Sequence, residues 1–430
     1  MGSEAGLPRI THEENRLLTR TGPGTPMGHL FREYWLPAML SERLPEPDGA
    51  PVAIQLLGER LVAFRDSLGR VGLLDEFCPH RRVSLVYGRN EECGLRCVFH
   101  GWKLDVHGRI VDTPGEVNPN FGDRIRHTAY PAREAGGIVW TYMGSRADPP
   151  PFPEFLFTRL PAQQVLGYHY RQECNFLQGI EIDLDISHPS FLHSTIDQAP
   201  IDERRAAMGH DPKPRAFTRE EPFGMQTVWG WQTADPGKSL FWVDPFVLPC
   251  HTIVPAGRTL MRWIWHAWVP IDDEHHWLYY VHYDPAVDPT GEERANLEYA
   301  FGHDLIDPDD DYRSRANLGN LHLLDRERQK TANYTGIRGV AAQDIAMVQS
   351  MGPIVDRSLE HIGSKDLLVA HLRRYLLKTL RAHMAGEPPP GLDGSVSFAD
   401  IDSRMVIVPS DTPLPDILEH REWTWGEAAE

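Results

Sequence analysis

The chain has 430 residues, room for two or three domains, and its 41% hydrophobic and 24% charged residues are ordinary for a globular protein. The formal net charge of −18, from 61 acids and 43 bases, argues against nucleic acid as a partner, because nothing resembles a phosphate-neutralising surface. Such acidity suits docking to a partner with a positive patch, such as a reductase, and serves solubility equally well.

The opening residues carry acids early and no apolar core segment, so no secretory signal is expected. No stretch approaches an uncharged membrane span. Five cysteines do not make a disulfide framework. These features predict a cytoplasmic, reducing location.

Residues 12–33 carry a broken helical pattern, with Leu17, Leu18, Met27 and Leu30 around Gly22-Pro23-Gly24. From about 50 to 145 the texture is strand-like, in runs such as 52–57, 60–64 and 137–142, bounded by turn residues such as Gly58, Asp66, Gly69 and Gly108. This predicts a small all-β module. The proline-rich stretch 148–153 is a stiff boundary.

Inside that module stand Cys78-Pro79-His80 and, sixteen residues on, Cys97-Val98-Phe99-His100. Two thiolates and two imidazoles on a pair of loops suit a Rieske [2Fe–2S] centre, in which two Cys hold one iron and two His the other. A Cys2His2 structural zinc site is the rival. Against zinc, each half supplies one Cys and one His, Pro79 holds Cys78 extended, and Gly101 lets backbone approach a cluster closely. Cys93, Cys174 and Cys250 have no ligand-like partner and are expected to be inert.

Beyond the boundary, 168–191 runs from a strand end into a helix. On it Gln178, Glu181, Asp185 and His188 form one polar stripe beside Leu177, Ile180 and Leu184. Pro189 breaks that helix and lets His193 turn back toward His188. Two His plus a carboxylate form the facial triad of non-haem Fe(II) oxygenases. Glu181 and Asp185 sit too close to His188 on one helix to be easy third ligands. Asp344, in the helical stretch 343–352, is the best distant candidate, although an Asp at a helix start is favoured by the dipole alone. Residues 225–283 are Trp- and Tyr-rich strands, 290–330 read as charged loop, 343–384 as helix, and the tail from 385 as short and mixed.

At these residues the chain resembles the oxygenase (α) subunit of Rieske non-haem iron aromatic ring-hydroxylating oxygenases, in the phthalate dioxygenase-type branch. The paired motif C-x-H-x16-C-x2-H and D-x2-H-x4-H carries the resemblance. Stretches 19–28, 34–38, 74–81, 88–103, 266–273 and 343–358 extend it over most of the chain. The resemblance implies an α+β architecture: an all-β Rieske domain at 46–150, preceded by an N-terminal helical segment at 1–45. A helix-grip, START-like catalytic domain with an antiparallel sheet and flanking helices follows at 151–430.

The resemblance also implies a Rieske [2Fe–2S] cluster on Cys78, His80, Cys97 and His100, and mononuclear Fe(II) on His188, His193 and Asp344. Asp185 becomes a bridge to a cluster histidine, His100, of the neighbouring subunit in a head-to-tail α3 (or stacked α3α3) homo-oligomer. Asn175 is placed near the iron pocket. O2 is the co-substrate, and NAD(P)H electrons arrive through a ferredoxin-type flavin reductase. The expected reaction is hydroxylation or dihydroxylation of a small, carboxylated aromatic. The alternatives are O- or N-demethylation, a non-catalytic Rieske electron carrier, or a zinc-stabilised binding module.

Two departures stand out. Arg82-Val83 replace the Gly-Ala common in the branch, and Ile182-Asp183-Leu184 replace small residues beside the iron. A dicarboxylate substrate would need cations at the pocket, with Arg204, Arg205, Arg215, Arg258 and Arg262 as candidates by segment.

Overall fold

A computed structural model describes residues 9–118, 120–185, 187–195, 215–256 and 261–420. The predicted β-module is built from two four-stranded antiparallel sheets. One orders Val52–Leu56, Glu59–Arg65, Val71–Asp75 and Ala129–Tyr130; the other orders Arg89–Glu91, Gly94–Arg96, Lys103–Leu104 and Ile110–Asp112. Strand alternation assigns the two faces of the first sheet to two different cores. Val62, Phe64 and Leu74 join Cys78, Cys97 and Trp102 in the small core under the cysteines. Leu61, Ala63 and Leu73 face the main core of the molecule.

Ile138–Tyr142 does not extend these sheets. It pairs with Ala132–Ala135 and with Trp35–Leu40, a fully buried strand inside the stretch expected to be helical. The N-terminal stretch therefore holds two helices, His12–Thr19 and Pro26–Arg32, and then a strand. Each helix has its own cap, Thr11 with Glu14 and Thr25 with Pro26, which explains the break in the apolar pattern.

The remainder wraps around one antiparallel sheet in the order Val165–Gln172, His276–Tyr283, Trp263–Pro270, His251–Pro255, Lys238–Val247, Gly224–Gln232, Arg215–Glu221. Arg404–Pro409, from the tail that carries no clear pattern, pairs with Lys238–Val247. The turn Leu57-Gly58 ties the small module to this sheet, donating its two N–H groups to the carbonyls of Pro270 and Ile271.

Helices cover one sheet face. The Phe176–Asp183 helix packs so closely that a Cβ on Gly179 would meet the Trp268 ring. It ends at Asp183, so the expected stripe is split: Asp185 follows the helix and His188 precedes a separate short helix, Pro189–Leu192. The 343–384 stretch is two helices, Val340–Ser350 and Leu367–Met384. Within 290–330, expected to be loop, lies the helix Gly291–Phe301. Only Leu297 and Phe301 of it are buried, so it has no apolar face to betray it; the Thr290–Glu293 capping box was the available signal. Among the described residues no helix is long and apolar enough to cross a membrane.

Candidate metal centres

The two cysteine loops share one backbone plan. Cys78 N–H donates to Val83 O and Arg82 N–H returns to Cys78 O; Cys97 N–H donates to Trp102 O and Gly101 N–H returns to Cys97 O. The fifth residue of each loop is left-handed, Gly101 at φ +79° and Arg82 at φ +59°. Glycine takes that conformation freely, whereas arginine there is strained. Arg82 also donates to Phe77 O and pairs with Asp75.

The plan sorts the four side chains by depth. Cys78 and Cys97 are 1% and 3% exposed, while His80 and His100 stand at the surface with ring centroids 4.6 Å apart. His80 stacks flat on Trp102. Burial pushes the Cys78 thiol up, with Cys97 beside it. A thiol pair inside and an imidazole pair outside fit a two-iron cluster. A single zinc ion requires four ligand atoms around one point. Among the described residues only His188, His193 and Asp344 bring three or more ligand atoms within 4.8 Å of one another.

That second group is assembled across the fold. Asp344 lies beyond the first turn of the Val340–Ser350 helix, so the dipole does not account for it. Its Oδ1 sits 3.2 Å from His193 Nε2 and 3.7 Å from His188 Nε2, and it is buried without a hydrogen bond. A bare buried carboxylate oxygen is costly, and a cation between these three groups would satisfy it. Burial holds the His188 ring below its usual range, in the neutral form a metal needs, although Asp344 pulls the other way. Both Nδ1 atoms are engaged elsewhere. His188 Nδ1 bonds Asp185 O at 2.8 Å, and His193 Nδ1 bonds Gln343 Oε1 at 2.7 Å. Gln343 Nε2 in turn donates to Ile337 O. Sequence reasoning missed Gln343; its place directly before Asp344 gives it the adjacent step of the same helix.

The remaining expected residues have separate places. Asp185 Oδ1 accepts from Ser187 N–H, Ser187 O–H and His188 N–H, leaving Oδ2 without a recorded bond among the described residues. Asn175 caps the Phe176–Asp183 helix and donates to Thr19 O and Asp273 O; it does not line the cavity beside His188. Glu181 is clamped by Arg357 and Arg373. Burial alone would raise its carboxyl, but the two guanidiniums hold it below the ordinary range. Gln178 ties Val348, Gly352 and Val355 to the helix.

A cavity of about 540 Å³ opens beside His188 and Asp185, lined by Phe191, Leu192, Tyr334 and Met351 among others. Asp185 and His188 line it, and His193 and Asp344 do not. Its one described arginine, Arg373, is held by Glu181 and Glu360. Arg215 and Arg262 do not line it. Arg215 bonds Ser410 O, and Arg262 lies near Asp284. Arg204, Arg205 and Arg258 fall outside the described residues.

Comparison with known proteins places this geometry. Residues 34–130 match the Rieske [2Fe-2S] domain and residues 141–428 the LigXa C-terminal domain like family. The chain is 38% identical to the phthalate 4,5-dioxygenase oxygenase subunit of Pseudomonas putida, covering 97% of each chain. It is 37% identical to the 3-chlorobenzoate-3,4-dioxygenase oxygenase subunit of Comamonas testosteroni, covering 95% of this chain and 98% of that one. The carbazole-bound oxygenase in the ferredoxin complex of carbazole 1,9a-dioxygenase shares the fold, with a TM-score of 0.55 at 17% identity over 89% of this chain and 100% of that one.

The fold and its two polar centres thus define an oxidoreductase that joins an iron–sulfur domain to a mononuclear iron domain. The chain belongs to the Rieske non-haem iron oxygenases, as an oxygenase (α) subunit of the phthalate dioxygenase-type branch. Its cofactors are a Rieske [2Fe–2S] cluster and mononuclear iron, with O2 as co-substrate and electrons from a reductase.

Proposed function

We propose that this chain hydroxylates a small carboxylated aromatic, as the substrates named for its two relatives suggest. His188, His193 and Asp344 hold the mononuclear iron. The observation that carries this assignment is the buried, unbonded Asp344 Oδ1 directed at two imidazole Nε2 atoms. Cys78, His80, Cys97 and His100 hold the cluster. When bound, the cluster passes single electrons and the iron activates O2.

The chain's own residues orient the rest. Gln343 fixes the His193 ring, and the Asp185 carbonyl fixes that of His188. The open Asp185 Oδ2 accepts His100 of a neighbouring copy. Two exposed apolar patches support a head-to-tail trimer: Tyr87, Val98 and Phe99 by the cluster loops, and Phe191, Tyr334 and Met351 around the cavity. The cavity is then the seat for the neighbour's cluster tip. Residues 1–45, 46–150 and 151–430 act as support, electron module and oxygenating module. A ferredoxin-type flavin reductase is the electron donor, and the cytoplasm the location.

The test is a reconstituted assay. Purified holoenzyme should show Rieske absorbance, one extra iron per chain, and reductase-driven O2 uptake with phthalate- or benzoate-type acids. Cluster absorbance with no O2 uptake on any aromatic acid would reduce the protein to an electron carrier.

A further inference from the structure

A separate cavity, of about 250 Å³, lies where the helix Leu367–Met384 packs on the start of the helix His12–Thr19. The longer helix lines it with Ala370, Arg373, Arg374, Leu377, Lys378 and Arg381, at alternating steps of three and one that keep them on one face. Arg9, Ile10 and Glu14 form the opposite wall, and Glu14 reaches across to Arg381 at 2.8 Å.

The charge of this cavity runs against that of the chain. Acids outnumber bases 61 to 43 overall, yet five cations and one acid line the cavity. That acid, Glu14, is taken by Arg381 and by the cap on Thr11. Lys378 meets Glu220, but both are more than half exposed, and a pair so open to water is worth little. Arg9 and Arg374 are exposed and enter no ion pair among the described residues.

Arg373 is the buried base of the site. It is 3% exposed and lines this cavity as well as the one beside His188. Its Nε–H goes to Glu181 and one N–H from each terminal nitrogen to Glu360. A guanidinium carries five N–H groups, so two remain for a further acceptor, and buried donors are seldom left bare. The floor around it is apolar, with Ile10, Ala370 and Leu377 all buried. A bare inorganic anion would leave that floor uncovered, and a neutral ring would leave the cations unanswered. A one-ring carboxylate meets both.

We propose that this cavity is a second binding site for a small aromatic carboxylate, with Arg9 and Arg374 at its mouth and Arg373 beneath. None of His188, His193 and Asp344 lines it, so the proposal stands whether or not the bound acid is oxidised.

Equilibrium dialysis of holoenzyme against labelled phthalate and benzoate tests it, with benzyl alcohol as the neutral ring and inorganic phosphate as the bare anion. Wild type should show two classes of site for the acid. Arg374→Glu and Arg9→Glu should each weaken one class about tenfold, as for loss of a hydrogen bond to a charged group. Arg124→Glu, at an exposed cation of the β-module, should leave both classes unchanged, and every variant should keep its Rieske absorbance and iron content. Benzyl alcohol should not compete for the affected class, and phosphate should compete far less than the acid. No binding of either acid, or binding that is the same in both cavity variants as in wild type, would overturn the proposal. Equal weakening in Arg124→Glu would show a general charge effect, and displacement by phosphate as readily as by the acid a plain anion site; either overturns it. A single class in wild type that both cavity variants weaken would uphold this site and defeat the carboxylated-substrate reading.

Discussion

The two candidate centres each use two histidines, yet they are built in opposite ways. The proposed cluster ligands lie within residues 78–100, on two loops held by the same backbone bonds, with both imidazoles exposed. The second set joins residues 188 and 193 to residue 344 and is mostly buried, with side-chain exposures of 16–17%. A site that exchanges electrons must lie near a surface. A site that reacts with O2 beside substrate gains from a dry wall, where polar groups act more strongly. The first needs only local turns; the second needs the tertiary fold.

The sharpest way to break the comparison is to remove one centre and keep the other. Asp344→Ala should abolish O2 uptake and mononuclear iron binding while leaving Rieske absorbance intact. Cys97→Ala should do the converse, bleaching the protein while the second iron remains. Metal analysis and absorbance of both variants settle whether the centres fold independently; loss of both signals in either would refute it.

Asp185→Asn tests the connection between them. Both metals should bind, while turnover falls by roughly 10–100-fold, as for removal of a group that orients metal ligands. Single-turnover reduction of the iron by the cluster is the direct measurement, and an unchanged rate removes Asp185 from the path. Gln343→Leu removes the acceptor at His193 Nδ1 together with the donor to Ile337 O. About tenfold weaker iron affinity is expected, with the cluster potential unaltered; equal affinity would mean that the Gln343 bond does not hold the ring.

The smallest effect concerns pH. Burial pushes the Asp244 carboxyl up to about 7, although Ser403 and Trp229 hydrogen-bond to it. Its folded value is above the ordinary 3.8, so its contribution is full below about pH 4 and is lost as pH rises through about 7. Melting temperature should therefore fall between about pH 4 and pH 7 in wild type and fall less in Asp244→Asn. Identical pH profiles would show that Asp244 ionises without cost.

Legibility follows the same division. Strands 52–56 and 59–65 are readable because Gly and Asp turns bracket runs of apolar residues. The helix Gly291–Phe301 was not, because it buries too little to show a period. Asp185 and His188 share a stripe only if the helix continues, and Leu184 ends it. Asp344 could be nominated from composition, but not separated from a helix-start acid until its Oδ1 met both rings.

By itself the sequence determined the cluster loops, the two-histidine step at 188 and 193, and the family, because spacing along the chain sets local geometry directly. Only the tertiary structure brought Asp344 to the two histidines, set Gln343 against His193, paired Arg357 and Arg373 with Glu181, and joined Asp183 to His266. Those partners lie between 83 and 192 positions apart in the chain. Packing a helix onto a sheet brings such groups together, and no local pattern of residues records which ones will meet.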